Sequence, residues 1–355
     1  MEYTGGARVG TLSLVGDVML QTSFASQPWA KDPRFRAVLD ELSQTDVVVA
    51  NLEMPLSRRG SKMLKHSNLR SDPAIIEDVR AMGIHAVTLA NNHMMDYGPL
   101  GLLDTVKVCD RAGLLHCGAG ANLDAALAPA WLDVAGQRVA LVSVASTLPL
   151  GSEASETTAG IAPLRISFSF EIDTNLLNEQ PGTMPIVHTW TRAQDQDATC
   201  RLIGCLAAQA DAVAVAIHWG VPTYWLSPFQ GLLAEYQQPL GRALIDAGAD
   251  IVFGHHSHSL HGIEIYHGRP IFYSVGNFLY EQPRGFMQPE SMIAQCTFGD
   301  RRSVQVVPLR LDERGLPHAV TGTEAGQVIE RLAELSAPFG TQLEPRGDRV
   351  EVVID

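Results

Sequence analysis

The sequence predicts an α/β layer fold, and three observations carry that reading. Seven short apolar runs rich in valine and isoleucine recur along the 355 residues, longer stretches of helical period separate them, and several of those stretches carry helix start and stop signals. Runs without polar alternation belong to strands buried on both faces, as in layered α/β proteins.

The runs are VGTLSLVGD (9–17), DVVVANLE (46–53), HAVTLANNH (85–93), RVALVSVAS (138–146), AVAVAIHWG (212–220), DIVFGHHSH (250–258) and PIFYSVGNF (270–278). Between the second and third, SDPAIIEDVRAMG reads as a helix, with Ser71 or Asp72 as cap, Pro73 in the first turn and Gly83 as stop. LGRALIDAGAD ends the same way at Gly248, and YGPLGLLDTVKVCDRAGL and TCRLIGCLAAQAD have helical periodicity. Residues 147–198 are richer in Ser, Thr, Glu and Pro and read as an irregular insertion or lid. Beyond residue 300, SVQVVPLRL and GQVIERLAELS suggest a C-terminal hairpin and a closing helix over 301–355. With no evident linker, 1–355 reads as a single domain.

Composition narrows the function. Apolar residues make up 46% of the chain and charged residues 18%, which describes a folded protein. The net charge of −13 argues against nucleic acid or an anionic membrane surface as partner, because both need basic patches. No segment approaches the roughly 18 apolar residues of a spanning helix. The N-terminus is not continuously apolar as a signal peptide is, so a soluble, cytoplasmic protein is expected. The five cysteines lack CxxC spacing and read as reduced thiols, mostly in the core, with no role for zinc.

Chemistry gathers where the runs finish. The first ends in Asp17, the second in Asn51 and Glu53, the third in Asn91, Asn92 and His93, and the fifth in His218. The sixth ends in GHHSHSLHGIEIYHG, which holds five of the twelve histidines. The carboxyl ends of strands in a mostly parallel or mixed α/β sheet share one edge, where ligands bind. Each residue alone has an ordinary explanation: a turn cap for Asp17, a solvated loop acid for Glu53, left-handed backbone for Asn92, a core histidine for His218. Together at equivalent strand ends they predict a metal site. Carboxylates at Asp17 and Glu53, an asparagine carbonyl, and imidazoles at His218, His256 and His258 suit two divalent cations. Such a set fits Mn, Fe, Zn, Mg or Ca and not thiolate-seeking ions.

GDVML, NLEMPLS, ANNHMMDYG, IHWG, GADIVFGHHSHSLHGIEIY and PIFYSVGNF, in that order, resemble the motifs of the bacterial capsule-synthesis proteins of the CapA/PgsA poly-γ-glutamate type, within the calcineurin-like metallophosphoesterase superfamily. The resemblance covers roughly residues 9 to 310. It implies a four-layer α/β/β/α sandwich with two mixed sheets and a dinuclear metal centre. It implies Asp17 as the first-motif ligand, Glu53 as the bridging acid and Asn92 as the amide ligand. His93 matches the proton-donating histidine, oriented by Asp96. His218 and the His256/His258 pair complete the metal shell, with His255 a competitor for the place of His256. The superfamily's Asp-x-His opening stands here as Asp17-Val18-Met19, and its second-motif aspartate as Glu53. Both changes leave a more oxygen-rich first site. Many capsule-type relatives are anchored outside the membrane, whereas this sequence has no evident anchor, so a role in polymer export is not expected.

A metal-activated water with a proton-donating histidine points to hydrolysis of an amide or phosphoester in a small molecule or peptide. Lys65, His66 and Arg70 follow the second run, and Arg70 matches the family's basic position for gripping a carboxylate or phosphate. Trp219, Tyr224 and Trp225 suggest an aromatic wall. Tyr273, Ser274 and Asn277 match the family's YSxGN segment as scaffold. The same parts allow an epimerase acting by α-proton abstraction. A binding protein of capsule biosynthesis without turnover is the third reading, and His93 with a full ligand set argues against it.

Overall fold

Burial on both faces shapes the centre of the molecule. In the first run, β1 (Thr11–Met19), every residue after Thr11 is enclosed. The computed structural model describes residues 10–220, 232–281, 287–298 and 302–354. The strands that follow are β2 (Val47–Leu52), β3 (Ala86–Thr88), β4 (Leu115–Cys117), β5 (Ala119–Gly120), β6 (Ala130–Val134) and β7 (Gln137–Ala145). Next come β8 (Gly160–Ile161), β9 (Ile166–Glu171), β10 (Ile186–Thr191), β11 (Ala212–His218), β12 (Ile251–His255) and β13 (Ile263–Tyr266). The last are β14 (Arg269–Phe272), β15 (Asn277–Tyr280), β16 (Glu290–Thr297), β17 (Ser303–Leu311), β18 (Pro317–Ala319), β19 (Leu343–Arg346) and β20 (Arg349–Val352).

Among the described residues the strands form two large mixed sheets. The first has ten strands in the order β19-β20-β17-β16-β1-β2-β3-β4, with β15 beside β1 and β18 beside β17. The second has six, β13-β14-β12-β11-β7-β6. In each, a parallel group lies beside antiparallel strands: β1 to β4 run parallel in the first, as do β7, β11, β12 and β14 in the second.

Alternation along the strands distributes side chains to three apolar cores. On β7, Val139 and Leu141 join Leu12, Leu14 and Val49 of the first sheet in a core between the sheets. Val142 and Val144 turn the other way, onto α6 (Ala193–Ala207) and α7 (Gln237–Asp246) through Ile203, Leu240 and Leu244. Val48, Ala50 and Leu52 of β2 meet Phe35, Val79 and Leu102 of α1 (Pro33–Leu42), α2 (Ile75–Ala81) and α3 (Gly98–Ala112). Each fully enclosed Val or Leu contributes about 1.5–3 kcal/mol.

Several expectations are refined by local geometry. The 270–278 run is two strands in two sheets: β14 pairs with β12, and β15 crosses to pair with β1. The crossing occurs at Gly276, whose φ of 78° is open to glycine and costly for most residues. The first predicted helix begins at Ile75, because Asp72 accepts the Ala74 N–H and heads a turn instead. Gly83, Gly113 and Gly248 take positive φ where their helices stop, as their residue type predicts. Much of 147–198 is regular: β5 and β8 pair near α4 (Leu123–Leu127), and β9 and β10 form a separate hairpin whose connection holds α5 (Thr174–Glu179). The expected closing helix is α8 (Gly322–Ser336), followed by the β19–β20 hairpin. No helix among the described residues is long and apolar enough to cross a membrane.

Candidate metal centre

The site is assembled by where strands stop. Asp17 lies on β1 opposite Asn51 of β2 and Asn277 of β15. The register of β1 slips on both sides of Asp17, so its side chain leaves the ordinary alternation at a bulge, a device that re-aims residues beside functional sites. The bulge needs Gly16, since a Cβ there would come within 2.1 Å of the Gly276 carbonyl oxygen. Asn51 Nδ2 donates to Asp17 Oδ1 at 2.8 Å, and Asn51 Oδ1 accepts from Thr88 Oγ1 and Asn91 Nδ2 at 3.2 and 3.1 Å. Asn91 Oδ1 in turn accepts the backbone N–H groups of His93 and Met94. Asn51 thereby ties the ends of three strands together.

On the second sheet, His218 and His255 face each other across the ladder of β11 and β12. Past β12 the backbone turns sharply: His256 and His258 have φ of 99° and 49°, uncommon for residues with a Cβ. Such backbone costs about 1–3 kcal/mol each and clusters at functional sites. The turn brings His256 Nδ1 to 3.2 Å from His218 Nε2 and His258 Nδ1 to 2.9 Å from Asn277 Oδ1. His218 Nε2 is also 2.7 Å from Asn92 Oδ1.

Glu53, just past β2, is the decisive residue. Its side chain has no exposure, and neither carboxylate oxygen has a hydrogen-bond partner among the described residues. Around its Oε1 stand His218 Nε2 at 3.6 Å, His258 Nε2 at 3.8 Å and His93 Nε2 at 4.0 Å, all beyond hydrogen-bond reach. Ligand atoms of Asp17, Glu53 and His258 lie within 4.8 Å of one another, the span that two ligands 2.0–2.6 Å from a shared cation can bridge. Enclosing a carboxylate without a donor is costly, and a divalent cation removes that cost. The donor set therefore fits a metal of the mixed oxygen and nitrogen class.

The electrostatics agree with this geometry. Burial and the Asp17 charge push the Glu53 carboxyl well above its ordinary range. Burial also acts on Asp17, but the His258 hydrogen bond and the surrounding imidazoles hold its carboxyl below the usual value. Burial, reinforced by neighbouring histidines, drives His218 down and lowers His256 to about 3, which leaves neutral imidazoles of the form that ligates metals.

Beside this cluster, His93 Nδ1 is 2.7 Å from Asp96 Oδ2. Asp96 accepts the Leu69 N–H at 2.5 Å and carries the Lys65 ammonium against its other oxygen. Lys65 also donates to the Asn92 carbonyl at 2.6 Å, so its charge points into the loop. The Lys65 ammonium is engaged within the protein, beside the His93–Asp96 pair.

The remaining candidates divide. His255 Nε2 turns to the Val15 carbonyl at 3.3 Å, while His256 Nδ1 lies 3.2 Å from His218 Nε2. Trp219 lies in the core on the helix side of the second sheet. It is buried, donates to the Tyr273 carbonyl at 2.9 Å and stacks on the Tyr273 ring. Arg70 lies over the Tyr97 ring at 4.0 Å, and His66 is exposed. Tyr224 and Trp225 lie outside the described residues. Tyr273 donates to Glu264 at 2.6 Å as scaffold. Sequence reasoning did not single out Tyr236, whose hydroxyl accepts the Gly220 N–H at 2.8 Å and meets Ser146 Oγ at 2.6 Å, fixing the chain just beyond His218. No local pattern signals it, since it lies in a helix entry remote in sequence from both partners.

Residues 11–282 match a family model described as bacterial capsule synthesis protein PGA_cap. The chain belongs to that family. Every cluster residue from Asp17 to Asn277 falls inside the span matched to PGA_cap. Relatives include a capsule biosynthesis protein CapA of Bacillus anthracis, 28% identical over 97% of this chain and 78% of the relative. A probable polyglutamine synthesis accessory protein of Mycobacterium tuberculosis is 30% identical over 92% of this chain and 81% of the relative. An uncharacterized protein of Sinorhizobium fredii is 28% identical over 94% of this chain and 90% of its own length.

Proposed function

We propose that this PGA_cap chain is a metal-dependent hydrolase that cleaves an amide or phosphoester bond in a small molecule or peptide. The fold we propose for it is one four-layer α/β/β/α sandwich of the calcineurin-like kind, a reading supported by three cores alternating with two sheets. The observation that carries the function is Glu53, an enclosed carboxylate without a hydrogen-bond donor among the described residues, facing three imidazoles at 3.6–4.0 Å.

Asp17, Glu53, Asn92, His218, His256 and His258 are the residues that would hold the ions. Divalent ions held there would supply an activated water and polarise a substrate oxygen. Asp96 fixes the His93 ring through Nδ1, which leaves Nε2 directed toward Glu53 and the cluster. From there His93 can give a proton to a leaving group. Burial lowers the pKa of His93 below the ordinary imidazole value, and the Asp96 carboxylate offsets only part of that. Lys65 and the Leu69 N–H hold Asp96 in place, so the pair is set before substrate arrives. The names of the relatives, which speak of capsule and polyglutamine synthesis, support an amide substrate ahead of a phosphoester.

The test begins with metal analysis of protein purified without added ions, followed by incubation with phosphoester and peptide panels in heavy water. Bound divalent metal with release of a new amine or of phosphate supports the proposal. Deuterium entering an α-carbon without cleavage replaces it with epimerisation, and a metal-loaded protein inert toward both panels replaces it with a binding role.

A further inference from the structure

Asn277 is buried, and its amide is only half used. Its Oδ1 lies 2.9 Å from His258 Nδ1, while its Nδ2 has no hydrogen-bond partner among the described residues. Packing alone would favour an apolar side chain at such a position, since an enclosed donor left unpaired is costly. The contact with His258 is the feature that calls for an amide here.

The local backbone is built to hold that contact. Asn277 opens β15 in register with Asp17, directly after the sheet crossing at Gly276. Ser291 Oγ meets the carbonyls of Val275, at 3.1 Å, and of Asn277, and the Asp17 N–H donates to the Gly276 carbonyl at 3.3 Å. The same segment braces the histidine turn. The Val275 N–H donates to the Gly254 carbonyl and the His261 N–H to the Ser274 carbonyl, both at 3.2 Å. His258 sits in that turn with its φ of 49°, and the Tyr280 ring meets its imidazole edge-on with centroids 4.8 Å apart. A ring contact of this kind fixes the imidazole plane but does not choose which nitrogen carries the proton.

That choice follows from what faces each nitrogen. Asp17 Oδ1 accepts from Asn51 Nδ2 at 2.8 Å, and its Oδ2 lies 3.4 Å from the His256 backbone nitrogen and 3.4 Å from His258 Nδ1. Both oxygens face donors, as those of an ionised carboxylate do, so the ring nitrogen beside them carries hydrogen. The Asn277 atom next to that nitrogen is then the carbonyl oxygen, its acceptor. In the neutral imidazole the lone pair belongs to Nε2, which is 3.8 Å from Glu53 Oε1.

We propose that Asn277 is the positioning residue of His258: it accepts the Nδ1 proton and so presents the Nε2 lone pair on the Glu53 side, the tautomer that a nitrogen ligand needs. The value of this to catalysis rests on the metal-dependent reading above, whereas the tautomer is a property of the chain alone.

The test reads the tautomer first. Long-range proton–nitrogen NMR is recorded on metal-free protein whose histidines are labelled with heavy nitrogen, at about pH 8, where an ordinary imidazole is neutral. His258 is assigned by the signals lost in His258→Gln. The wild type is expected to carry hydrogen on His258 Nδ1, and hydrogen on Nε2 overturns the proposal without recourse to a variant at Asn277. Asn277→Leu should lose the Nδ1 proton pattern and weaken Mn²⁺ affinity by about 10–100-fold in titration calorimetry. Asn277→Asp, which keeps the acceptor oxygen, should retain the pattern and bind Mn²⁺ no more weakly than wild type. Circular dichroism checks that both variants fold. A folded Asn277→Leu with the wild-type pattern assigns the tautomer to Asp17 and overturns the proposal, as does unchanged Mn²⁺ affinity. A wild type with the Nδ1 proton that binds metal yet cleaves nothing in either panel supports this role for Asn277 and removes the hydrolase reading.

Discussion

The strand-end cluster and the β9–β10 arm are opposites: one encloses charge, the other exposes grease. Asp17 and Glu53 have no exposed surface, yet Phe168 and Phe170 are more than half exposed. The cluster is held by buried strands of two sheets, a bulge, and asparagine bonds at 2.8–3.2 Å. The arm is held by its own ladder, the Arg165–Asp195 pair and Glu235. The contrast teaches that departure from the usual burial pattern is informative in both directions. A carboxylate enclosed without a donor points to a cation, and large apolar side chains left exposed mark a surface that the core does not use.

The largest effect tests the chemical half of that contrast. His93→Ala should lower turnover on whichever panel substrate is cleaved by about 10²–10⁴-fold, with most of the metal retained in elemental analysis. Loss of metal together with activity would assign His93 to binding instead. Next, the two regions should answer the same substitution differently. Phe253→Ala, in the core between the sheets, should cost about 3–5 kcal/mol in urea denaturation. Phe168→Ala, measured at dilution, should change stability by less than about 0.5 kcal/mol. Equal costs at both positions would mean that the arm is packed and the contrast false.

Asn51→Ala sharpens the account of the cluster. Since Asn51 holds Asp17 and the Asn91 loop, its removal should weaken divalent-metal affinity by about 10–100-fold in titration calorimetry. Unchanged affinity would reduce Asn51 to a packing residue. The smallest effect concerns the root of the arm. Burial opposes the Asp195 charge, but the Arg165 hydrogen bonds hold its carboxyl below the ordinary value. A depressed pKa gives stability that is complete above about pH 4 and is lost as pH falls through the lowered folded value. Arg165 is partly exposed, so the contribution is on the order of 1 kcal/mol. The difference in urea midpoint between wild type and Arg165→Met should accordingly shrink as pH falls below about 4.

Much of the fold and of the cluster was legible from residue order, because buried strands announce themselves by composition and their polar ends stand out. Asp17, Glu53, Asn92, His218, His256 and His258 all follow or close an apolar run. What stayed hidden depended on geometry that period and composition do not encode. A continuous apolar run could not reveal that 270–278 changes sheet, although Gly276 within it was a hint of a bend. The burial of Trp219 was not legible, because an indole next to a candidate ligand suits a pocket or a core equally and its bond to the Tyr273 carbonyl spans 54 positions. The polar composition of 147–198 concealed the alternation ISFSF, which is a strand signal over too few residues to stand out. The ion pair of Lys65 with Asp96, 31 positions away, follows from no local pattern.

The most direct measurement of the central claim is anomalous diffraction from crystals of metal-replete protein, collected on both sides of the absorption edge of the bound metal. The account predicts a peak about 2.0–2.6 Å from a Glu53 carboxylate oxygen and from His258 Nε2, with Asp17 in reach of the same density. Replete crystals without a peak there, with Glu53 instead hydrogen-bonded to a protonated histidine, would contradict it.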